Sequence, residues 1–481
     1  MSDRRNAATG GQARLVALLG PALVAGVAYL DPGNVAVNMS AGAQFGYLLV
    51  WVVVLANAMA WLIQYLSAKL GVVTGLSLAQ TLGRRIRNPW ARRAYWLQAE
   101  LVAMATDIAE IIGGAVALWL LFDLPLLAGG LVTGAVSMVL LALKSRGGAR
   151  PFEGVIIGLL AIISVGFTVG LFIGPPDPAA TAAGLVPRFE GTQSVLLAAS
   201  ILGATVMPHA IYAHSALARD RFSGMLAGSR GGLAPAPPLG SDAGHGPGRD
   251  DLRLATAPAP TAGAPGAPGH RAAPRAAHAR PTAPAPPRVA RDAARGTGIR
   301  RILRATRVDV TIALVIAGTV NLAILLLGAA NLPGVPGTDS LEGAYAALRD
   351  GLGPAIATLF AVALLASGLA STSVGAYAGA EIMQGLLRIQ MPLLARRLIT
   401  LAPAIAILAA GFDPTQALVL SQVALSFGIP FALVPLIVLT AQRRTLGTHA
   451  NRWWTTALGW ASSAFLIALN VVLLVLTFSG A

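Results

Sequence analysis

The chain has 481 residues, of which 55% are hydrophobic and 11% charged, with mean hydropathy +0.69. Soluble domains carry about 25% charged residues, so the composition excludes a water-soluble globular protein and implies an all-α integral membrane protein. The net charge is +15, but residues 219–307 alone hold 15 Arg and 5 Asp, so the excess marks one segment and not a nucleic-acid-binding surface.

Cysteine is absent, which excludes disulfides and thiolate metal sites. No phosphate-binding glycine loop, zinc-protease His-Glu motif or nucleophile elbow is present, which argues against an ATP-driven pump, an intramembrane hydrolase or any other enzyme.

Apolar runs of about 20 residues are read as membrane spans. Eleven are expected, at about 14–41, 47–74, 96–123, 126–144, 153–174, 192–217, 308–330, 353–383, 392–411, 414–440 and 454–478. Residues 1–13 precede them as a tail, and the first run has no small-residue cleavage site of a signal peptide. With that tail in the cytoplasm, the inside segments carry 32 of the 35 basic residues. Only Arg188 and Arg349 fall outside, and Lys69 lies within span 2. This bias places the N-terminus inside and the C-terminus outside, as expected of a multi-pass protein of the cell membrane.

Span 1 contains "AYLDPGNVAVN" at 28–38. A buried carboxylate is costly in lipid and Pro-Gly breaks a helix, so Asp31, Pro32, Gly33 and Asn34 mark an interruption. Span 3 carries Glu100, Asp107 and Glu110, whose offsets of seven and three put them on one helical face. Acidic residues within a span face a cavity or a partner and relay protons.

Span 6 reads "LGATVMPHAIYAHSAL", with Pro208 in its middle. Span 1 opens one set of five spans, 14–174, and span 6 opens the next, 192–440, with span 11 left over. Two interrupted segments at corresponding positions indicate an inverted-repeat transporter with a site near the membrane midplane. The unwound carbonyls around Ala204 can serve a cation because they line a cavity. Asp31 and Asn34 are hard oxygen ligands, and Met207 is a soft thioether. That mixture suits Mn²⁺ or Fe²⁺ with tolerance for Cd²⁺. His209 and His214 follow, and imidazole titrates near neutrality; either can receive a proton released from Asp31.

Residues 218–300 are rich in Pro, Ala, Gly and Arg with few large apolar residues. Such a segment buries too little surface to order itself and is expected to be a disordered cytoplasmic loop whose Arg residues suit anionic lipid heads. Span 8 contains Glu381, for which the sequence names no partner.

These motifs resemble the Nramp family of proton-coupled divalent-metal transporters. The resemblance rests on "DPGN" at 31–34, "MPH" at 207–209, "FGYLLVWVVVLANAMAWLIQYLSAKLGVVTG" at 45–75 and "ATDIAEIIGGAVAL" at 105–118. It implies a LeuT-like fold. It also implies metal binding by Asp31, Asn34, Met207 and the Ala204 carbonyl, joined by Gln422 of "LSQVALSFGIP" in span 10. Arg396 and Arg397 resemble the family's basic partners of the acidic string. Two departures stand out: Ala210 where the family often has Asn, and Ala380 and Gln384 where it commonly has Gln and Glu.

The function expected is import of Mn²⁺ or Fe²⁺ coupled to protons, with no resident cofactor. The alternatives are an organic-solute symporter of the same fold and a membrane metal sensor that does not transport.

Overall fold

The computed structural model describes residues 20–147, 149–227 and 288–479, and all regular structure among them is helical. Helix α1 (Pro21–Gly26) tightens into a 3-10 turn, Val27–Leu30, and stops at Asp31; α2 (Pro32–Phe45) resumes the same run. Next come α3 (Val50–Thr74), α4 (Leu78–Arg85), α5 (Pro89–Phe122), α6 (Leu126–Gly147) and α7 (Ala149–Thr168). The second interrupted run is α8 (Gly191–Thr205) and α9 (Pro208–Ala227). It is followed by α10 (Arg288–Asn331), α11 (Leu341–Leu352), α12 (Pro354–Leu387), α13 (Leu393–Ala409), α14 (Pro414–Ala441) and α15 (Trp453–Ser479).

Each of the eleven expected runs holds a helix. Among the described residues, eight are long and apolar enough to cross a membrane. The other three are the interrupted first run, whose apolar piece Pro21–Leu30 is short, the piece Leu126–Leu140 of α6, and α13.

One expectation is corrected. Residues 218–227 and 288–300 are not irregular; they extend α9 and α10. The reason is a local core that composition alone hides. Ala218 and Phe222 pack with Ile299, Ile302, Leu303 and Ala305 against Ala68 and Val72 of α3. The apolar spacing 299, 302, 303 is that of one helix face. The rest of the expected loop, 228–287, and the tail 1–13 lie outside the described residues.

The most extensive helix pairing joins α5 and α12. Among the other extensive pairings are two matched sets: α2 with α10 and α9 with α3; α5 with α14 and α12 with α7. Matching each run to the one five places later exchanges the members of each pair. Five is odd, so a chain that crosses the layer with every run would thread its second set in the opposite sense, as in an inverted repeat.

The start of α1 is held from outside its own run. Asp309 of α10 accepts hydrogen bonds from the Gly20 amide at 3.1 Å and the Ala22 amide at 2.9 Å. These are orphan donors of a helix N-terminus, and the carboxylate serves as a cap supplied in trans. Losing a cap costs about 1 kcal/mol, or about fivefold in a local opening equilibrium. Asp309→Ala should therefore speed hydrogen exchange at the first turn of α1 about fivefold and leave α5 and α12 unchanged. Unaltered exchange over residues 20–24 would show that the cap does not hold the helix.

Candidate metal site and a separate acidic row

Both interruptions follow from proline chemistry. Pro32 and Pro208 have no N–H, so they cannot continue the helical ladder to the residue four places earlier. Asp31 takes extended geometry, φ −67° and ψ 164°, and caps α2 by accepting the Asn34 amide at 2.8 Å. On the other run, α8 ends at Thr205 and Val206 leaves helical geometry at φ −103° and ψ 57°. Pro208 leaves the Ala204 carbonyl without its helical donor.

The two breaks meet through one side chain. The Asn34 Nδ2 group donates to Asp31 Oδ1 at 2.9 Å and to the Ala204 carbonyl at 2.8 Å. From α14, Gln422 Nε2 donates to Asp31 Oδ2 at 3.4 Å. The remaining amide oxygens, Asn34 Oδ1 and Gln422 Oε1, are buried without a partner, as is Oγ1 of Thr205, the residue after Ala204. Asp31, Asn34, Ala204, Met207 and Gln422 are each 0% exposed, so the site is closed to solvent. Met207 occupies the second break itself, between Val206 and Pro208.

Two glycines let α14 come this close. A Cβ on Gly33 would overlap the Gln422 amide, and one on Gly203 would overlap the Gln422 carbonyl. The glycine of "DPGN" therefore gives Gln422 the space to reach Asp31. Pro32 in turn seats on Gly113 of α5, where a Cβ would overlap its ring. Gly113 is one turn from Glu110, so the first break abuts the acidic helix.

The acidic residues of α5 form a row with α13. Arg396 Nη2 donates to Glu100 Oε1 at 2.6 Å. Arg397 pairs with Asp107 and donates to Glu110 Oε2 at 3.2 Å. It is steadied by Thr372 Oγ1 and Ser137 Oγ, both at 3.3 Å. Each carboxylate keeps one buried oxygen with no partner: Glu100 Oε2, Asp107 Oδ2 and Glu110 Oε1. Three carboxylates face two guanidiniums, and all five groups are buried. Thr372 and Ser137 escaped the sequence reading because Ser137 is a lone hydroxyl in an apolar run and nothing singles out Thr372 from its neighbours Ser371 and Ser373.

The two histidines part company. They are five residues apart on α9, which turns them about 140° from each other. His209 Nδ1 lies 3.1 Å from Thr106 Oγ1, next to Asp107, so it faces the row. His214 Nδ1 lies 2.7 Å from Gln64 Oε1, and Gln64 donates to the Tyr29 hydroxyl. The structure thus brings His214 to spans 1 and 2 and not to the acidic row.

Comparison with known proteins points one way. A family model described as natural resistance-associated macrophage protein-like (Nramp) matches residues 22–238 and 282–476. The divalent metal cation transporter MntH of Mycobacterium tuberculosis strain H37Rv is 52% identical over 463 residues, 96% of this chain and 92% of that protein. MntH of Bacillus subtilis strain 168 is 39% identical over 466 residues, 96% and 93% of the two chains. Among solved structures, the Eremococcus coleocola manganese transporter in complex with an aromatic bis-isothiourea substituted compound superposes with TM-score 0.72 at 28% identity, covering 95% of this chain and 86% of that one. MhsT in complex with L-phenylalanine shares the fold alone, with TM-score 0.51 at 12% identity over 96% of this chain and 98% of that one.

The packing at Gly33 gives a direct check of the site. Gly33→Ala should push the Gln422 amide off Asp31 and weaken divalent-cation binding about tenfold, the worth of one good polar ligand. Gly203→Ala meets backbone instead of a mobile side chain and should weaken it further. Calorimetric titration of the purified variants reads both. Wild-type affinity in Gly33→Ala would remove Gln422 from the site.

Proposed function

Since the chain belongs to the Nramp family, the natural resistance-associated macrophage protein-like proteins, we propose that it is a secondary active transporter importing Mn²⁺ or Fe²⁺, tolerant of Cd²⁺, coupled to protons. We read eleven crossings, with 14–174 and 192–440 as the two repeats, and place the Arg-rich side in the cytoplasm. The observation that carries the reading is the Asn34 amide, whose NH₂ bridges Asp31 and the Ala204 carbonyl while its own oxygen has no partner.

An NH₂ group held between two acceptors occupies the place a cation would take. Turning the Asn34 amide over brings Oδ1 inward, and the same turn at Gln422 brings Oε1 inward. The breaks then offer Asp31, Asn34, Gln422 and the Ala204 carbonyl as oxygen donors. These hard groups bind any divalent ion, and the Met207 thioether tilts the choice towards softer transition metals. A divalent ion also supplies the charge that Asp31 lacks in a site from which water is excluded.

The acidic row suits a proton. With every group ionised it carries one net negative charge, which is costly to bury. One proton on any of the three unpartnered carboxylate oxygens makes it neutral. A cation on Asp31 makes the site net positive beside the row, since Pro32 rests on Gly113, one turn of α5 from Glu110. Cation binding therefore favours loss of that proton. His209, against Thr106, is the proton's route from Asp31 to the row.

Flux measurements in liposomes of defined lipid separate these roles. Asp31→Ala should abolish Mn²⁺ uptake with normal insertion. Met207→Ala should depress Cd²⁺ uptake more than Mn²⁺ uptake and relax exclusion of Ca²⁺. An unchanged Cd²⁺/Ca²⁺ ratio would make Met207 packing and not a ligand.

Asp107→Asn and Glu110→Gln each remove the net charge of the row without touching a proposed ligand. Both should reduce proton flux stimulated by Mn²⁺ and flatten the pH dependence of uptake while Mn²⁺ binding persists. Wild-type proton flux in both variants, or loss of Mn²⁺ binding in both, defeats the assignment of the row.

A further inference from the structure

Glu381 is a buried carboxylate that neither the metal site nor the acidic row uses. It is 0% exposed on α12, near the end of the span where the sequence departs from the family pattern at Ala380 and Gln384. Its partner comes from the other interrupted run. Arg219 of α9 donates from Nη1 to Glu381 Oε1 at 2.8 Å and from Nη2 to Oε2 at 3.2 Å, a fork that fixes orientation as well as distance. Arg219 Nε also donates to Asp220 Oδ1 at 2.7 Å. The far oxygen of Asp220 accepts from the Tyr377 hydroxyl at 2.8 Å. Tyr377 and Glu381 are four residues apart, on one face of α12. Two consecutive residues of α9 are therefore gripped by one turn of α12.

We propose that Arg219, Asp220, Tyr377 and Glu381 form a clamp that positions the second half of span 6 against span 8 and keeps the site closed on the side of the 228–287 segment. The argument is energetic. Separating a buried pair strands an unpaired charge, which is strongly unfavourable unless water reaches it. The clamp can part only when that end of the bundle opens to water, and it closes again as water leaves. α9 carries His209 and His214 and begins one residue after Met207, so a hold on its far end also fixes the second break. The cluster differs from the acidic row in burial: Glu381 and Arg219 cancel as a pair, and the second carboxylate, Asp220, is 44% exposed, so no carboxylate there needs a proton to be buried.

The inference rests on the reading of the chain as an alternating-access transporter. Its test reads access instead of flux, so it can fail while that reading stands. The chain has no cysteine, so a single introduced thiol reports alone. Ala25, 1% exposed, lines a small void with Tyr29, Gln64 and His214, between the site and the clamped end. The Ala25→Cys protein in liposomes should react slowly with N-ethylmaleimide. Adding Glu381→Gln or Arg219→Gln should raise the labelling rate about tenfold, as expected when a charge-assisted fork is lost. Tyr377→Phe, which removes the hydroxyl that donates to Asp220 and keeps the ring, should raise it less. The exchanged pair Arg219→Glu with Glu381→Arg should return the rate towards that of Ala25→Cys alone. Fast labelling of the Ala25→Cys parent, no rise in Tyr377→Phe and the single Gln variants, or a rise undiminished in the exchanged pair overturns the clamp.

Discussion

The structure turns on one constraint: a carboxylate with no exposure to water must find its donors within the protein. Asp31 finds two of them in its own interrupted run, because the extended residue before Pro32 is also the cap of α2 and receives the Asn34 amide and side chain. It finds the third in Gln422, 391 residues away. That last bond dictates the surrounding architecture. α14 must press against both interrupted runs, which requires glycine at 33 and 203, and Pro32 must rest on α5, which requires glycine at 113. In lipid the freed carbonyls would be intolerable; here Ala204 has Asn34. A single buried charge thus accounts for the breaks, the glycines beside them and the contact between four separate helices.

The same helix that closes the second break sorts the chemistry into two sides. His209 and His214 project from α9 about 140° apart, one towards Thr106 and the acidic row, the other towards Gln64 and Tyr29. A sequence motif that lists both histidines together gives no hint of this division; helical geometry imposes it. The row between α5 and α13 then stands apart from the polar contacts of α1, α3 and α10. On the proposed function, metal and proton carry like charge, and separate surfaces would spare each from opposing the other.

Much of the candidate site was legible because its residues are local faults in apolar runs. Asp31, Pro32 and Pro208 are conspicuous where every neighbour is apolar, and the spacing of Glu100, Asp107 and Glu110 shows one face without reference to any other helix. The helical run was equally plain, because hydropathy and length nearly define a span. What escaped is of another kind. Glu381 was visible, but Arg219 lies 162 residues earlier in a stretch whose composition reads as loop. The helical ends at 218–227 and 288–300 escaped for the same reason: Phe222 and Ile299 support each other only across helices. Ser137 and Thr372 matter through Arg397, and a hydroxyl's role is set by what approaches it. Local faults appear in one dimension, whereas pairs need the third.

On the proposed function, charge bookkeeping ties the site to the row. Asp31 alone contributes one negative charge and the row of three carboxylates and two guanidiniums contributes another. A divalent ion at Asp31 reverses the sign of the site, and an unprotonated row then balances it, so the ion-bound and proton-released forms together bury no net charge. With no ion, one proton on the row and one on Asp31 achieve the same balance. Either composition is tolerable in a water-free interior and the mixed ones are not, since each leaves an unpaired charge where the effective dielectric is low. Coupling on this account needs no moving part between the two sites. It needs them close, through Pro32 on Gly113 one turn from Glu110, and it needs the intervening space dry, which the complete burial of Asp31, Glu110 and Pro32's neighbours provides.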